Sequence, residues 1–103
     1  MLFELYLKSA EDGCPIAQYR VGLCCRYGIG TSKSEVKGFQ WGSKSALAGN
    51  ISAICDTGYC YSRGIGVDLD VNLSFEWYLK AAESGYSTAE YYLGLLYDNG
   101  YRS

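Results

Sequence analysis

The sequence predicts an all-α fold, a solenoid of about six helices stacked as antiparallel pairs. Three observations carry that prediction: an internal period, a glycine that recurs mid-helix at that period, and capping residues where each helix must begin and end. The period is announced by Gly28-Ile29-Gly30 and Gly64-Ile65-Gly66, 36 residues apart. At the same offset Phe3, Phe39 and Phe75 align, as do Lys8, Lys44 and Lys80, and Ala17, Ala53 and Ala89. Residues 3–31 and 75–103 share thirteen identities in 29 pairs, where average residue usage gives about two.

The elements follow in order. A first helix runs from the N-terminus to Glu11. The second spans about Pro15 to Tyr27, with Pro15 at a first helical position that needs no N–H and Cys14 in the capping column before it. The third spans about Glu35 to Ala48 and the fifth about Val71 to Glu83, with Ser34 and Asp70 aligned as N-caps. The fourth runs from about Ile51 to Arg63 behind Asn50. The sixth runs from about Ser87 to Asn99, where Ser87-Thr88-Ala89-Glu90 has the form of a capping box. Gly13, Gly49 and Gly85 fall just past helix ends, where a left-handed residue stops a helix at no steric cost.

Gly22, Gly58 and Gly94 instead fall in mid-helix, where each costs about 1 kcal/mol relative to Ala. Recurrence of that cost at one column implies a neighbouring helix passing close by, and the small column Ala10, Ala46 and Ala82 is the expected surface. Phe39, Phe75, Tyr61 and Tyr97 are expected to fill the gaps between units. Both Gly-Ile-Gly copies follow a helix, so they read as a helix stop and corner. The strand that a phosphate-binding glycine motif needs before it is missing.

Composition narrows the function. The chain has 103 residues, 49% hydrophobic and 19% charged, which suits a small folded domain. A net charge of −2 with spread cations argues against nucleic acid and anionic membranes. No stretch reaches the eighteen apolar residues of a membrane span, and the start lacks a signal peptide's basic and apolar regions. A cytoplasmic location is therefore expected. There is no His, and the five cysteines include no CxxC spacing, so neither a cofactor nor a metal site is expected. Acid pairs such as Glu11-Asp12 and Asp68/Asp70 read as solvated helix ends. Without His, a nucleophile motif or a metal set, the chain is not expected to be an enzyme.

Ala89-Glu90-Tyr91-Tyr92-Leu93-Gly94-Leu95-Leu96-Tyr97-Asp98-Asn99-Gly100, and Phe75-Glu76-Trp77-Tyr78-Leu79-Lys80-Ala81-Ala82-Glu83-Ser84-Gly85, resemble the Sel-one-like repeat, a relative of the tetratricopeptide repeat. The resemblance covers essentially the whole chain. It implies a right-handed superhelix of helix pairs, and a non-catalytic scaffold or adaptor that binds a protein or peptide. It divides the chain into a second helix at 1–13, complete units at 14–49 and 50–85, and a truncated unit at 86–103, as expected of a segment of a larger protein. Cysteine-rich, disulfide-bonded bacterial members of the family supply an alternative, a secreted form. Here, however, only Cys24 and Cys60 share a column, while Cys14, Cys25 and Cys55 stand alone.

Two departures stand out. Cys25 takes the slot of Tyr61 and Tyr97. Gly42 and Ser43 replace Tyr78 and Leu79, which predicts an underpacked third helix that Tyr at position 42 would stabilise by about 1 kcal/mol. Tyr6, Tyr61, Tyr78 and Tyr97 fall in the family's packing columns. Along the first helix of each unit, a second stripe varies between units: Tyr19, Leu23, Arg26 and Tyr27; then Cys55, Tyr59, Ser62 and Arg63; then Tyr91, Leu95, Asp98 and Asn99. Packing columns meet the same neighbour in every unit, whereas a ligand presents something different to each. By the resemblance to tetratricopeptide arrays this stripe lines the concave face. Its candidate binding residues are Tyr19, Leu23, Arg26, Tyr27, Tyr59, Ser62, Arg63, Tyr91, Leu95, Asp98 and Asn99.

Overall fold

Six α-helices and no strand make up the residues that the computed structural model describes, 2–100. Met1 and residues 101–103, into which the reading of a third unit runs, lie outside them. The helices are α1 (Leu2–Glu11), α2 (Pro15–Tyr27), α3 (Glu35–Leu47), α4 (Ile51–Arg63), α5 (Val71–Glu83) and α6 (Ser87–Asp98). Each packs on its neighbours in sequence, most closely α2 on α3 and α4 on α5, giving an elongated stack of 47 × 24 × 16 Å. Nearest-neighbour packing of this kind is the signature of a solenoid.

The helix boundaries have local causes. Ser34 Oγ accepts from Lys37 N, Asn50 Oδ1 from Ala53 N and Asp70 Oδ1 from Leu73 N, each closing an orphan donor of a first turn. The capping box read at Ser87–Glu90 does not form. Tyr86 is the N-cap and Ser87 lies one residue inside the helix, so its hydroxyl is not at the capping position. Cys14 likewise makes no capping hydrogen bond. The Gly-Ile-Gly segments are corners: Gly28 (φ 70°) and Gly64 (φ 68°) end α2 and α4 in the left-handed region, and Gly30 and Gly66 follow at φ 72°. Ile29 N donates to Cys24 O at 2.9 Å and Ile65 N to Cys60 O at 3.0 Å, so both copies turn alike.

Two of the three mid-helix glycines, Gly22 and Gly58, do mark close approach, but not to the alanines. A Cβ at Gly22 would stand 2.9 Å from Gly38 O and 3.0 Å from Gly42 N; one at Gly58 would stand 2.8 Å from the Tyr78 ring and 3.2 Å from Ser74 O. Antiparallel partners lie equally far from the loop that joins them. The end of α2 therefore meets the start of α3, while Ala46, at the end of α3, packs with Ala53 and Ile54 on α4. Ser74 Oγ seals the second crossing by donating to Gly58 O at 2.8 Å. Gly94 meets nothing within 4 Å.

The core is two clusters, Ala10, Ala17, Val21 and Cys25 beneath Phe3, Tyr6 and Trp41, and a larger one centred on Ala53, Ile54 and Tyr78. Phe39 meets Tyr61 edge-on at 5.4 Å and Phe75 meets Tyr97 at 5.9 Å, so the expected aromatic fillers do bridge consecutive helices. The tyrosine columns are less uniform than the repeat suggests. Tyr78 is fully buried and Tyr6 and Tyr61 half-buried, but Tyr97 is 51% exposed, because no helix among the described residues covers that side of α6.

Candidate functional site

Two adjoining cavities open between α2, α4 and α6, and Tyr59 and Tyr92 line both. The first, about 340 Å³, is walled by Tyr19, Leu23, Arg26 and Tyr27 of α2, by Ser52, Cys55, Asp56 and Tyr59 of α4, and by Tyr86, Thr88 and Tyr92. The second, about 320 Å³, is lined by Tyr59, Ser62 and Arg63 of α4, Tyr78 of α5, and Tyr92, Leu95, Leu96 and Asn99 around α6. Nine of the eleven stripe residues therefore sit at one or other cavity. Tyr91 and Asp98 do not, although the Tyr91 ring lies against Tyr92 at 5.7 Å.

The stripe reaches this surface because one helical turn is close to four residues, so Tyr19, Leu23 and Tyr27 stack along one side of α2 while Ala17, Val21 and Cys25 face the core. Exposure differs along it. Tyr27 and Tyr91 are 62% and 65% exposed, Tyr19 and Tyr59 half-buried. Arg26 is the exception, only 5% exposed. Its Nη1 and Nη2 donate to Asp56 Oδ1 and Oδ2 at 3.0 and 2.6 Å, a bidentate pair, and Nη2 also donates to Cys60 Sγ at 2.9 Å. Burial opposes the Arg26 charge, and the hydrogen bonds and field of Asp56 override it.

That pair also revises the reading of Gly42. In the next unit the matching positions are Ser62, Tyr78 and Tyr92. The Tyr78 ring stacks on Tyr92 at 5.1 Å and 12°, with its hydroxyl 3.4 Å from Ser62 Oγ. One unit earlier the same three positions hold Arg26, Gly42 and Asp56, and Asp56 Oδ2 lies 3.9 Å from where a Gly42 Cβ would be. The ring's place is taken by the guanidinium–carboxylate pair. Gly42 is buried, and its N and Cα are the close contacts of Gly22. A Cβ at Gly42 would itself meet only Asp56 Oδ2, in ordinary contact; it is a longer side chain that would run into the pair.

Asp56, Tyr86 and Tyr92 were not among the stripe residues read from sequence. A signal existed for two of them: position 56 and its equivalents read Arg20, Asp56 and Tyr92, a column as variable as the stripe itself. Chemically the first cavity is aromatic, with hydroxyls and one neutralised ion pair. Burial, then the nearby Asp56, raises the Tyr19 phenol to about 12, so it remains a hydrogen-bond donor at neutral pH. Burial likewise lifts the Cys55 and Cys60 thiols to about 11 and about 12, away from thiolate chemistry. Among the described residues no three His, Cys, Asp or Glu side chains are placed to hold a metal ion, and no helix is long and apolar enough to cross a membrane.

Residues 15–50, 51–86 and 87–102 each match the Sel1 repeat. Among solved structures, the chain is similar to a Sel1 repeat protein from Oxalobacter formigenes, at 38% identity and a TM-score of 0.84 over 86% of this chain and 67% of that one. It is also similar to c5321, a protective antigen of uropathogenic Escherichia coli with the same repeat fold, at 33% identity and a TM-score of 0.92. That match covers 95% of this chain but spans only 21% of the antigen. No curated protein matches.

Proposed function

Because the chain belongs to the Sel1 repeat family, we propose that it is a non-catalytic interaction module that takes a peptide segment of a protein partner along the α2–α4–α6 face, the concave side of the superhelix. The observation that carries this reading is the convergence of nine stripe residues on two adjoining aromatic cavities. Tyrosine and arginine are the side chains that dominate binding hot spots, since they offer large contact area together with hydrogen bonding. Here both kinds are grouped where helices of successive units meet.

An adaptor working in a reducing, cytoplasmic setting also suits the thiols. All five cysteines are free, and Cys25, Cys55 and Cys60 are buried. The test is a peptide selected from a random library against the wild-type chain. Replacing Tyr27, Tyr59 and Arg63 by Ala should leave the helical circular dichroism spectrum intact and weaken binding by more than about 2 kcal/mol, roughly thirtyfold. Retained affinity in that variant, alongside loss on changing the outer surface of α3 or α5, would reject the assignment.

A further inference from the structure

The two cavities differ in charge. In the first, Arg26 and Asp56 neutralise one another at 2.6 Å. No Asp or Glu lines the second, whereas Arg63 does. Arg63 is exposed on the last turn of α4 and, among the described residues, pairs with no carboxylate. It is also held in place. Its Cζ lies 5.4 Å over the Tyr59 ring, an arrangement in which the ring quadrupole attracts the guanidinium and leaves its N–H edge free. Arg63 of α4 and Tyr92 of the facing α6 line the same cavity.

The other polar groups narrow the choice further. Ser62 Oγ donates its proton to Tyr59 O at 2.8 Å and lies 3.4 Å from the Tyr78 hydroxyl, so these two hydroxyls satisfy one another. Arg63, Asn99 and the hydroxyls of Tyr59 and Tyr92 are then the donors left in the cavity, beside the apolar Leu95 and Leu96. Donors without a matching acid, beside leucines and aromatic ring faces, complement an anion carried on a hydrocarbon stem.

We infer that the second cavity takes a carboxylate of an acidic peptide, with Arg63 as the charged donor and the aromatic walls holding the apolar stem beside it. This rests on the groove reading above, and it adds the chemistry of the partner. The carboxylate comes either from a glutamate side chain or from a chain end, and the probes separate the two.

The experiment is a solution NMR titration of the full chain with three capped probes: acetyl-Leu-Glu-amide, acetyl-Leu-Gln-amide, and acetyl-Leu with a free carboxylate. The backbone amides of α4 and α6 are followed. At least one carboxylate probe should shift them at about two- to fivefold lower concentration than the glutamine probe, the advantage expected of one exposed charge pair. Whichever carboxylate probe shows it names the source. The advantage should shrink with added salt and vanish in Arg63→Gln, which keeps the fold because the residue is exposed. Equal action of the glutamine probe, or an advantage that survives Arg63→Gln, overturns the carboxylate inference and leaves the groove reading standing. If none of the probes moves these amides at about 10 mM, where even a Kd in the millimolar range would show, both readings fall.

Discussion

At position 42 the chain has glycine where the next unit has tyrosine, and the neighbours of that position change with it. Arg26 and Asp56 occupy the room that the ring of Tyr78 fills one unit later. Gly42→Tyr should therefore destabilise by about 1–3 kcal/mol through overpacking, opposite to the gain that helix propensity alone predicts. Asp56→Ala should cost about 3–5 kcal/mol, because it strands a buried guanidinium. The combined change Arg26→Ser, Gly42→Tyr and Asp56→Tyr rebuilds the later interface and should recover most of the wild-type stability in urea unfolding. If the triple variant falls as far as the sum of its parts, the three positions do not form one exchangeable set. The thiols differ in the same local way. At the start of α2 the nearby Ala17 backbone, then Ser9, lowers the Cys14 thiol from its ordinary range without closing a cap, while burial pushes Cys60 up. Alkylation of the folded chain should reach Cys14 well before Cys60, and peptide mapping would show the reverse order if this account is wrong.

At the scale of the helix, one glycine column carries two different meanings. Gly22 and Gly58 lie against backbone and ring atoms of the paired helix, whereas Gly94 meets open space. The same substitution should therefore change sign along the column. Gly22→Ala and Gly58→Ala force neighbours apart and should each destabilise by about 1–3 kcal/mol. Gly94→Ala removes only a helix-propensity cost and should stabilise by about 1 kcal/mol. Thermal unfolding of the three variants decides it, and a common sign would refute the close-approach explanation. The helices themselves were legible in the sequence because Pro15, Ser34, Asn50 and Asp70, with the glycines beyond the helix ends, act on the backbone locally. The surface that meets Gly22 was not. It depends on how far each residue lies from the connecting loop, and the alanine column looked equally suitable by size alone. Helix α6 was read to start at Ser87, as it does, but its cap was misread: a serine followed three residues later by Glu90 has the right pattern one residue too late.

For the whole molecule, buried acids of high pKa make stability fall in alkali. Burial raises Cys55 from 9.0 to about 11, Cys60 from 9.0 to about 12 and Tyr19 from 10.0 to about 12. The unfolded chain gives up these protons first, so their contribution is whole below about pH 9 and drains away as pH rises towards about 12. The urea midpoint should decline across that window, and less steeply in Cys60→Ala; a flat profile would contradict the burial of these groups. The array as a whole could be read from its period, since each unit buries its apolar face on the next. The proposed binding face was legible only in part. Variation between units picked out the stripe, but the equally variable column of Arg20, Asp56 and Tyr92, which supplies two cavity residues, was passed over. The central claim, that the α2–α4–α6 face receives the partner, is tested most directly by photo-crosslinking. A benzoyl-phenylalanine placed at Tyr27 or Leu95 should capture a library-selected peptide, whereas one at Leu47 or Leu79, exposed on α3 and α5, should not; capture from Leu47 or Leu79 with none from Tyr27 or Leu95 would contradict it.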